Sequence, residues 1–371
     1  MGFVRTTTVA SAVGAVLAGF VSTASAAPPT TARASVAGAR IAVDGKPFFP
    51  VMLIDQCSSD AAQRARQFGI NLVLNESCPG TTATQQLGSI GRKSLAVLPV
   101  AAGALRGPTL AGWAFPDEPE GNGWTPESLQ RAHPYRRGSA DGLLSFMTTG
   151  PGFYRSSYTP TNIPVGTYGQ FARLADVAGF DLYPLAHCSR DLGAVYDAQL
   201  AFNELAGNMP TFQWIETGPS RSTYCGGYQM TRAELRAEVW LAIAAGARGI
   251  GYFTHTWSPD HNEFDVSAPL RHQLMKTNSL LAALAPALAG QTIPSSSDST
   301  SVKVLARKVG RTTFVIAVNA ARAPLNSQLH VPALRNGLVR VFGEHRNVSS
   351  STGHATDTFR PLAVHVYVQT N

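Results

Sequence analysis

The sequence predicts an α/β protein, a closed (β/α)8 TIM barrel over residues 46–292 followed by a small antiparallel β-sandwich over residues 293–371. From about residue 46 to 290, strand-like apolar runs alternate with helix-like stretches, which is the pattern of βα units and a parallel sheet. After Pro294 the helix-like stretches end, and short strands separated by turns follow. No glycine-rich phosphate loop follows the first strand, so a dinucleotide-binding sheet is poorly supported.

Eight segments qualify as barrel strands, because strands buried on both faces should be nearly continuous apolar runs. They are residues 48–56, 70–75, 95–101, 110–115, 143–149, 178–183, 211–215 and 249–254. Predicted helices follow strands one, six, seven and eight at residues 61–68, 193–205, 231–245 and 267–288. Thr231 and Glu234 form a capping box at the start of the third of these helices. Residues 102–109 leave no room for a full helix between strands three and four.

The C-terminal part begins with a serine-rich linker or loop at residues 295–299. Beyond it the sequence has short strand candidates with turns between them and no convincing helix, which is typical of an antiparallel sandwich. These candidates are residues 302–308, 312–318, 328–331, 338–342 and 363–368.

The first 26 residues resemble an export signal. Arg5 supplies the positive charge, residues 9–21 are apolar or small, and Ala24-Ser25-Ala26 matches a cleavage site. The apolar run is shorter than the roughly 20 residues that cross a bilayer. We therefore expect a secreted, extracellular protein without stable membrane insertion, in which residues 27–45 lead into the barrel.

The formal charge of +7 raises the question of nucleic acid. The arginines are scattered, however, and no basic run is longer than Arg136-Arg137, whereas phosphate recognition favours a basic stripe. We expect no nucleic-acid partner, and we expect a monomer.

Four cysteines remain after the signal, and an even count in an exported chain favours disulfides, although four free thiols are the alternative. Their spacing contains no CxxC, which argues against a zinc site. Cys57 and Cys78 follow neighbouring strands one and two, and Cys188 and Cys225 follow strands six and seven. We predict bridges Cys57–Cys78 and Cys188–Cys225 between loops of one barrel face.

Two glutamates end otherwise apolar strands. Strand four runs into Pro116-Asp117-Glu118-Pro119, and strand seven into Trp214-Ile215-Glu216. Barrel enzymes carry their chemistry at the carboxyl ends of strands. Glycoside hydrolysis needs two carboxyl groups in different protonation states, about 5–5.5 Å apart in retaining enzymes. Two structural carboxylates in loop ion pairs are the alternative.

This arrangement resembles clan A of the glycoside hydrolases, the family 5-like retaining enzymes on a (β/α)8 barrel. In that clan the acid/base glutamate ends strand four, commonly within Asn-Glu-Pro, and the nucleophile ends strand seven. The resemblance implies that Glu118 is the acid/base and Glu216 the nucleophile, without metal or cofactor. Asp117 stands in place of the asparagine that contacts the sugar 2-hydroxyl, and its charge would alter the acidity of Glu118.

Other strand ends supply candidate substrate contacts. By the same resemblance Tyr183 would hydrogen-bond the nucleophile, although a buried structural tyrosine explains it equally well. Trp257 is a candidate platform for a sugar ring, with a core tryptophan as the alternative. Asp55 and His255 are candidate polar contacts, as are Gln56, Arg155 and Asp181. Glu76 is expected to lie away from the pair, and Glu120 to face solvent.

The sequence therefore predicts a secreted glycosidase that acts on an oligosaccharide or polysaccharide. A secreted carbohydrate-binding protein on a non-catalytic barrel is the alternative from another class. A peptide or ester hydrolase is less well supported, because the chain has neither a Gly-x-Ser-x-Gly elbow nor a His-Glu-x-x-His pair.

Overall fold

The computed structural model describes residues 33–90, 94–99, 105–133, 142–154, 162–217, 224–256 and 261–370. The predicted export signal and the first part of the lead-in lie outside these residues, as do Trp257 and Arg155.

A three-stranded antiparallel sheet precedes the barrel. Its strands are β1 (Ala34–Ala37), β2 (Arg40–Val43) and β3 (Lys46–Phe48). Phe48 pairs with Ile41 of β2, so the predicted strand 48–56 divides into β3 and the first barrel strand. The break falls next to Pro50, which has no N–H to donate to a ladder.

The barrel is confirmed: eight parallel strands close in chain order. They are β4 (Val51–Ile54), β5 (Leu72–Leu74), β6 (Leu95–Pro99), β7 (Leu110–Ala114), β8 (Leu144–Thr149), β9 (Val177–Asp181), β10 (Thr211–Glu216) and β11 (Gly249–Phe253). The helices around them are α1 (Ala61–Phe68), α2 (Ala83–Ile90), α3 (Pro126–Ala132), α4 (Val165–Ala172), α5 (Gly193–Ala206), α6 (Arg232–Ala244), α7 (Ala268–Ala283) and α8 (Ala285–Leu288). The predicted capping box is present at the start of α6, where Thr231 and Glu234 exchange hydrogen bonds.

Two aromatic side chains of β10 fill the barrel interior, and glycines on the neighbouring strands make room for them. A Cβ atom on Gly179 would lie 2.3 Å from ring atoms of Phe212, and one on Gly251 would lie 2.0 Å from the Trp214 ring. Both aromatic side chains are buried. Because side chains alternate along a strand, Glu216 points to the barrel interior, as Phe212 and Trp214 do. It is the last residue of β10 and therefore lies at the open end of the barrel where the strands end, called the mouth below.

The C-terminal part is one curled antiparallel sheet, as the sandwich prediction requires. Its strands are β12 (Gln291–Ile293), β13 (Ser296–Ser297), β14 (Val302–Val309), β15 (Thr312–Asn319), β16 (Leu325–His330), β17 (Gly337–Val341), β18 (Arg346–Ser351), β19 (His354–Phe359) and β20 (Val364–Thr370). The two edge strands, β12 and β13, are consecutive in the chain, so the sheet curls back on itself. β13 lies inside the segment predicted as a linker.

Helix α6 lies between the barrel and the C-terminal sheet. It contacts β10 and β11 on one side and β14, β15 and β20 on the other. This double packing explains why the helix is apolar nearly all round and why Glu234 and Glu238 within it are fully buried.

Both predicted disulfides are present. Cys57–Cys78 joins the loops after the first two barrel strands, and Cys188–Cys225 joins those after the sixth and seventh. Loops of 21 and 37 residues closed in this way stabilise the fold by roughly 3 kcal/mol each, mainly through the unfolded chain. None of the helices in the described ranges combines the length and the apolarity that crossing a membrane requires.

Candidate active site

The carboxyl ends of the barrel strands bring a ring of acidic side chains to one face. Its members lie at the end of, or directly after, strands β4, β5, β7, β9 and β10. They are Asp55, Glu76, Asp117, Glu118, Glu120, Asp181 and Glu216. Within the described ranges, no three His, Cys, Asp or Glu side chains are arranged to hold a metal ion.

Glu118 is held by a tight turn. Its φ of 39° lies in the left-handed region, which non-glycine residues adopt mainly where the surroundings impose it. Its carbonyl oxygen accepts hydrogen bonds from the backbone N–H groups of Gly121 and Asn122. A Cβ atom on Gly150 would lie 3.0 Å from Glu118 Oε1, so this glycine leaves space for the carboxyl group.

The carboxyl group that contacts Glu118 belongs to Asp181, at the end of β9. The two side chains share a hydrogen bond, which requires a proton between them. Asp181 Oδ1 is shut off from water. Burial raises the pKa of Asp181 well above its ordinary value, and the charges of Glu118 and Asp117 raise it further. Asp181 and Glu118 therefore share a proton, and one carboxyl group donates a hydrogen bond to the other.

A second carboxyl pair, Glu76 and Asp117, lies beside the first. Glu76, expected to lie away from the pair of Glu118 and Glu216, is buried and hydrogen-bonded to Asp117. Its Oε1 accepts from Thr148 Oγ1 at 2.6 Å, and Thr148 accepts from Trp214 Nε1 at 3.1 Å. Burial, and then the charges of Asp117 and Asp55, raise the pKa of Glu76 well above its usual range.

Asp117 as a residue is exposed, but its carboxyl group faces Glu76 rather than open water. Loss of water around that group, and then the charge of Glu118, raise its pKa to about 7. Asp117 thus accepts a hydrogen bond from the protonated carboxyl group of Glu76. An asparagine N–H at this position would instead donate a hydrogen bond. Glu120, expected to face solvent, is buried and accepts from Gly150 N at 2.5 Å.

Glu216 lies at the end of β10 and is 3% exposed. Its Oε1 accepts from the backbone N–H of Leu185 at 2.7 Å, and its Oε2 accepts from that of Ala186 at 2.8 Å. Burial raises its pKa to about 7, an effect that these two bonds oppose. The loop after β9 therefore fixes the orientation of this carboxyl group.

Behind Glu216 stands Glu238 of α6, a residue that the sequence analysis missed. Glu238 is fully buried and hydrogen-bonded to Glu216. Burial, and then the charge of Glu216, raise the pKa of Glu238 well above its usual range, so this pair also shares a proton that Glu238 holds. The sequence could have indicated this residue, because Glu238 lies inside the apolar run from Ala237 to Ile243. A charged side chain in such a run is seldom buried unless it has a partner.

The remaining predicted residues surround these pairs. Tyr183 is half-buried beside Phe253, with ring centroids 5.3 Å apart, and burial raises its pKa well above 10. Asp55 Oδ1 accepts from the backbone N–H groups of Glu76 and Ser77, and burial raises its pKa to about 6. His255 Nε2 contacts Asp55 O at 3.1 Å, and burial lowers its pKa to about 4, so it is neutral.

Two further features complete the mouth. Gln56 Nε2 donates to Ile54 O and Glu263 O, so this residue ties loops together. A cavity of about 390 Å³ opens beside Glu76 and is lined by Ser77, Thr81 and Gln86 among others. It extends the site along strands β5 and β6.

The fold is similar to that of solved glycoside hydrolases. A glycoside hydrolase family 5 protein from Bacteroides vulgatus ATCC 8482 has 10% identity and a TM-score of 0.55, covering 91% of this chain and 93% of that chain. A GH30 endoxylanase from Clostridium papyrosolvens C71 has 11% identity and a TM-score of 0.51, covering 92% and 100% respectively. An α-amylase from Geobacillus thermoleovorans in complex with acarbose has 12% identity and a TM-score of 0.54, covering 84% and 90%.

Sequence comparison adds no relative to these. No protein-family model matches the chain, and no curated protein does. At identities of 10–12% the structural likeness shows the barrel and its appended sheet, because one fold hosts many functions.

Proposed function

We propose that the chain is a secreted, metal-independent retaining glycoside hydrolase, a monomer acting on an oligosaccharide or polysaccharide. The observation that carries the proposal is the different environment of two glutamates at one barrel mouth. Glu118 and Glu216 each share a proton with a buried acid, Asp181 and Glu238 respectively, but Glu216 in addition accepts two backbone N–H bonds. These two bonds favour the ionised form of Glu216, as a nucleophile requires, and proton donation is assigned to Glu118.

In the first step Glu118 gives its proton to the glycosidic oxygen, while Glu216 attacks the anomeric carbon and forms a glycosyl ester. In the second step Glu118 takes a proton from water, which attacks the same carbon and releases Glu216. Both transition states carry positive charge on the sugar ring. The ionised form of Glu216, favoured by its two backbone N–H bonds, supplies complementary negative charge.

Asp181 is not assigned as the nucleophile. Its carboxyl group is in hydrogen-bonding contact with that of Glu118, closer than the roughly 5–5.5 Å of a retaining pair. Asp181 pairs in register with Trp214, two residues before Glu216. It is therefore a positioning residue that keeps a proton next to Glu118.

The test is hydrolysis of a panel of aryl β-glycosides, both pyranosides and furanosides, followed by trapping. We expect one sugar to be cleaved with retained anomeric configuration in the first-formed product, read by proton NMR. A 2-deoxy-2-fluoro analogue of that sugar with a good leaving group should then add its mass to the peptide that carries Glu216.

Three outcomes are informative. Inverted product would exclude double displacement, and a label on the peptide of Asp181 would move the nucleophile to β9. Glycan binding without cleavage of any substrate would favour the carbohydrate-binding alternative.

The role of Asp181 predicts a contrast between two substitutions. Asp181→Asn keeps an N–H donor towards Glu118 and mimics the protonated acid, so kcat near neutral pH should stay within a few-fold of wild type. Asp181→Ala removes the donor and should lower kcat by about tenfold or more. The pH profile of kcat checks the assignment, since only the wild type can lose activity through ionisation of Asp181. Equal losses in both variants would contradict it.

A further inference from the structure

A cavity lies at the opposite end of the barrel from the acidic ring. It has a volume of about 600 Å³ and lies between the N-terminal ends of β10 and β11 and the edge of the C-terminal sheet. Its wall includes Asn203 and Arg248 from the barrel, and Thr292, Ser295 and Arg307 from the sheet. A volume of this size is typical of small-molecule sites.

Arg307 of β14 is buried in this wall, with 2% of its surface exposed. Its Nη1 donates to Gly290 O at 3.2 Å and to Thr292 Oγ1 at 2.5 Å. Its Nε is shut off from water and has no acceptor among the described residues. A guanidinium group carries five N–H donors, and both of these hydrogen bonds come from Nη1, so the Nε donor is left unused.

Arg248, at the start of β11, is the second cation of the cavity. Its Nη1 donates to Leu288 O at 3.2 Å, and none of the ion pairs between described residues includes Arg248 or Arg307. Burial, and then the charges of Arg248 and Arg40, lower the pKa of Arg307 to about 9. The pKa of Arg248 falls to about 10, first through burial and then through the charge of Arg40.

A purely structural role accounts for only part of this arrangement. Leu288 and Gly290 stand at the end of α8, where carbonyl groups carry a partial negative charge that arginines can cap. That charge amounts to about half an elementary charge at a helix C-terminus. The buried guanidinium group of Arg307 and the half-buried one of Arg248 therefore keep an excess of positive charge, which is costly without an anion.

We propose that this cavity binds the oxyanion of a small molecule, a phosphate or a carboxylate group, between Arg248 and Arg307. Guanidinium forks match both groups in a bidentate geometry. Thr292 and Ser295 add hydroxyl groups, and exposed Arg40 lies nearby to attract the anion from solution. The site is remote from the acidic mouth, which repels anions.

Calorimetric titration of the full chain with inorganic phosphate and with D-glucuronate tests the proposal, with D-glucose as the neutral counterpart. We expect saturable 1:1 binding of phosphate, glucuronate or both, and the tighter ligand identifies the group. Arg248→Gln should weaken that binding about tenfold or more, because a charge-assisted bond is lost. Arg307→Lys keeps the cation but not the fork, and should weaken binding less than Arg248→Gln.

Two controls isolate the site. Arg66→Gln, an exposed residue of α1, and Glu118→Gln at the other barrel end should leave phosphate binding unchanged. Absence of saturable binding by either anion, equal binding of glucose and glucuronate, or wild-type affinity in the folded Arg248→Gln variant would overturn the proposal. Because no readout is catalytic, failure here is distinguishable from failure of the proposed glycosidase.

Discussion

Replacing Glu118 by glutamine is expected to lower kcat roughly 10²- to 10⁴-fold on an aryl glycoside with a poor leaving group, because the general acid is lost. A dinitrophenyl glycoside needs no protonation to leave, so its first step should be largely spared. Glu216→Gln should abolish turnover of both substrates, since an amide cannot form the glycosyl ester. For each variant, the loss of kcat on the poor leaving group is therefore compared with the loss on the dinitrophenyl leaving group. A large difference identifies the acid, and equal losses identify the nucleophile.

The measurement is kcat and kcat/KM for both leaving groups, with circular dichroism to show that each variant is folded. Glu127→Gln is the matched control, because Glu127 lies on α3 after the same strand as Glu118 but is exposed. Turnover that survives Glu216→Gln would contradict the mechanism. An equal loss on both leaving groups in Glu118→Gln would remove Glu118 from the role of acid.

The size of these effects depends on how rigidly the carboxyl groups are held. The backbone N–H groups of Gly121 and Asn122 hold the backbone of Glu118 in its turn. Those of Leu185 and Ala186 hold the carboxyl group of Glu216. Neither group has to be ordered when substrate arrives, and such preorganisation is a main source of catalytic stabilisation.

The placement of the candidate site on the barrel could be predicted from sequence because strand polarity decides it. Once 110–115 and 211–215 are strands of a parallel barrel, Glu118 and Glu216 must both emerge at the carboxyl face. The cysteines gave an independent check, since residues that follow neighbouring strands end up adjacent.

The partners of the two glutamates could not be predicted in the same way. Asp181, Glu76 and Glu238 reach the site from β9, from the loop after β5 and from a helix outside the barrel. Such contacts depend on side-chain direction across several elements, which strand periodicity does not specify. Strand β18, with the sequence Arg-Asn-Val-Ser-Ser-Ser, was missed because only Val348 and Ser350 face the core, so it lacks an apolar run.

A second large effect is expected in stability, which should rise as the pH falls from about 7 to about 5. The folded pKa values of Glu76, Asp181 and Glu238 are raised well above their ordinary values. The folded protein therefore keeps protons that the unfolded chain, with carboxyl pKa values near 4, has released. Stability falls with rising pH wherever the folded state binds more protons, by about 1.4 kcal/mol per proton and pH unit.

One buried group opposes this trend. The pKa of His255 is lowered to about 4, so below about pH 6.5 the unfolded chain binds a proton there that the folded protein does not. Glu76, Asp181 and Glu238 less one histidine leave an excess of at least about two protons, or at least about 3 kcal/mol per pH unit. Partial protonation of the carboxyl groups whose folded pKa values are about 6 to 7 adds to this excess, namely Asp55, Asp117, Glu120 and Glu216. Below about pH 4.5 the trend should reverse, because Glu234, Glu263 and Asp357 have lowered pKa values and lose their ion pairs on protonation.

Urea unfolding at a series of pH values measures how the free energy of unfolding changes per pH unit. The Glu238→Gln variant shows how much of this slope comes from Glu238. Glutamine resembles the protonated acid but does not titrate, so the folded variant no longer binds one proton more than the unfolded chain at this position. The slope should therefore be flatter by about 1.4 kcal/mol per pH unit. Glu204→Gln, an exposed residue of α5, should keep the wild-type slope. A stability maximum at neutral or alkaline pH would mean that the buried acids ionise on folding. In that case Asp181 and Glu238 would not hold the protons that they share with Glu118 and Glu216, and the positioning role proposed for Asp181 would fail.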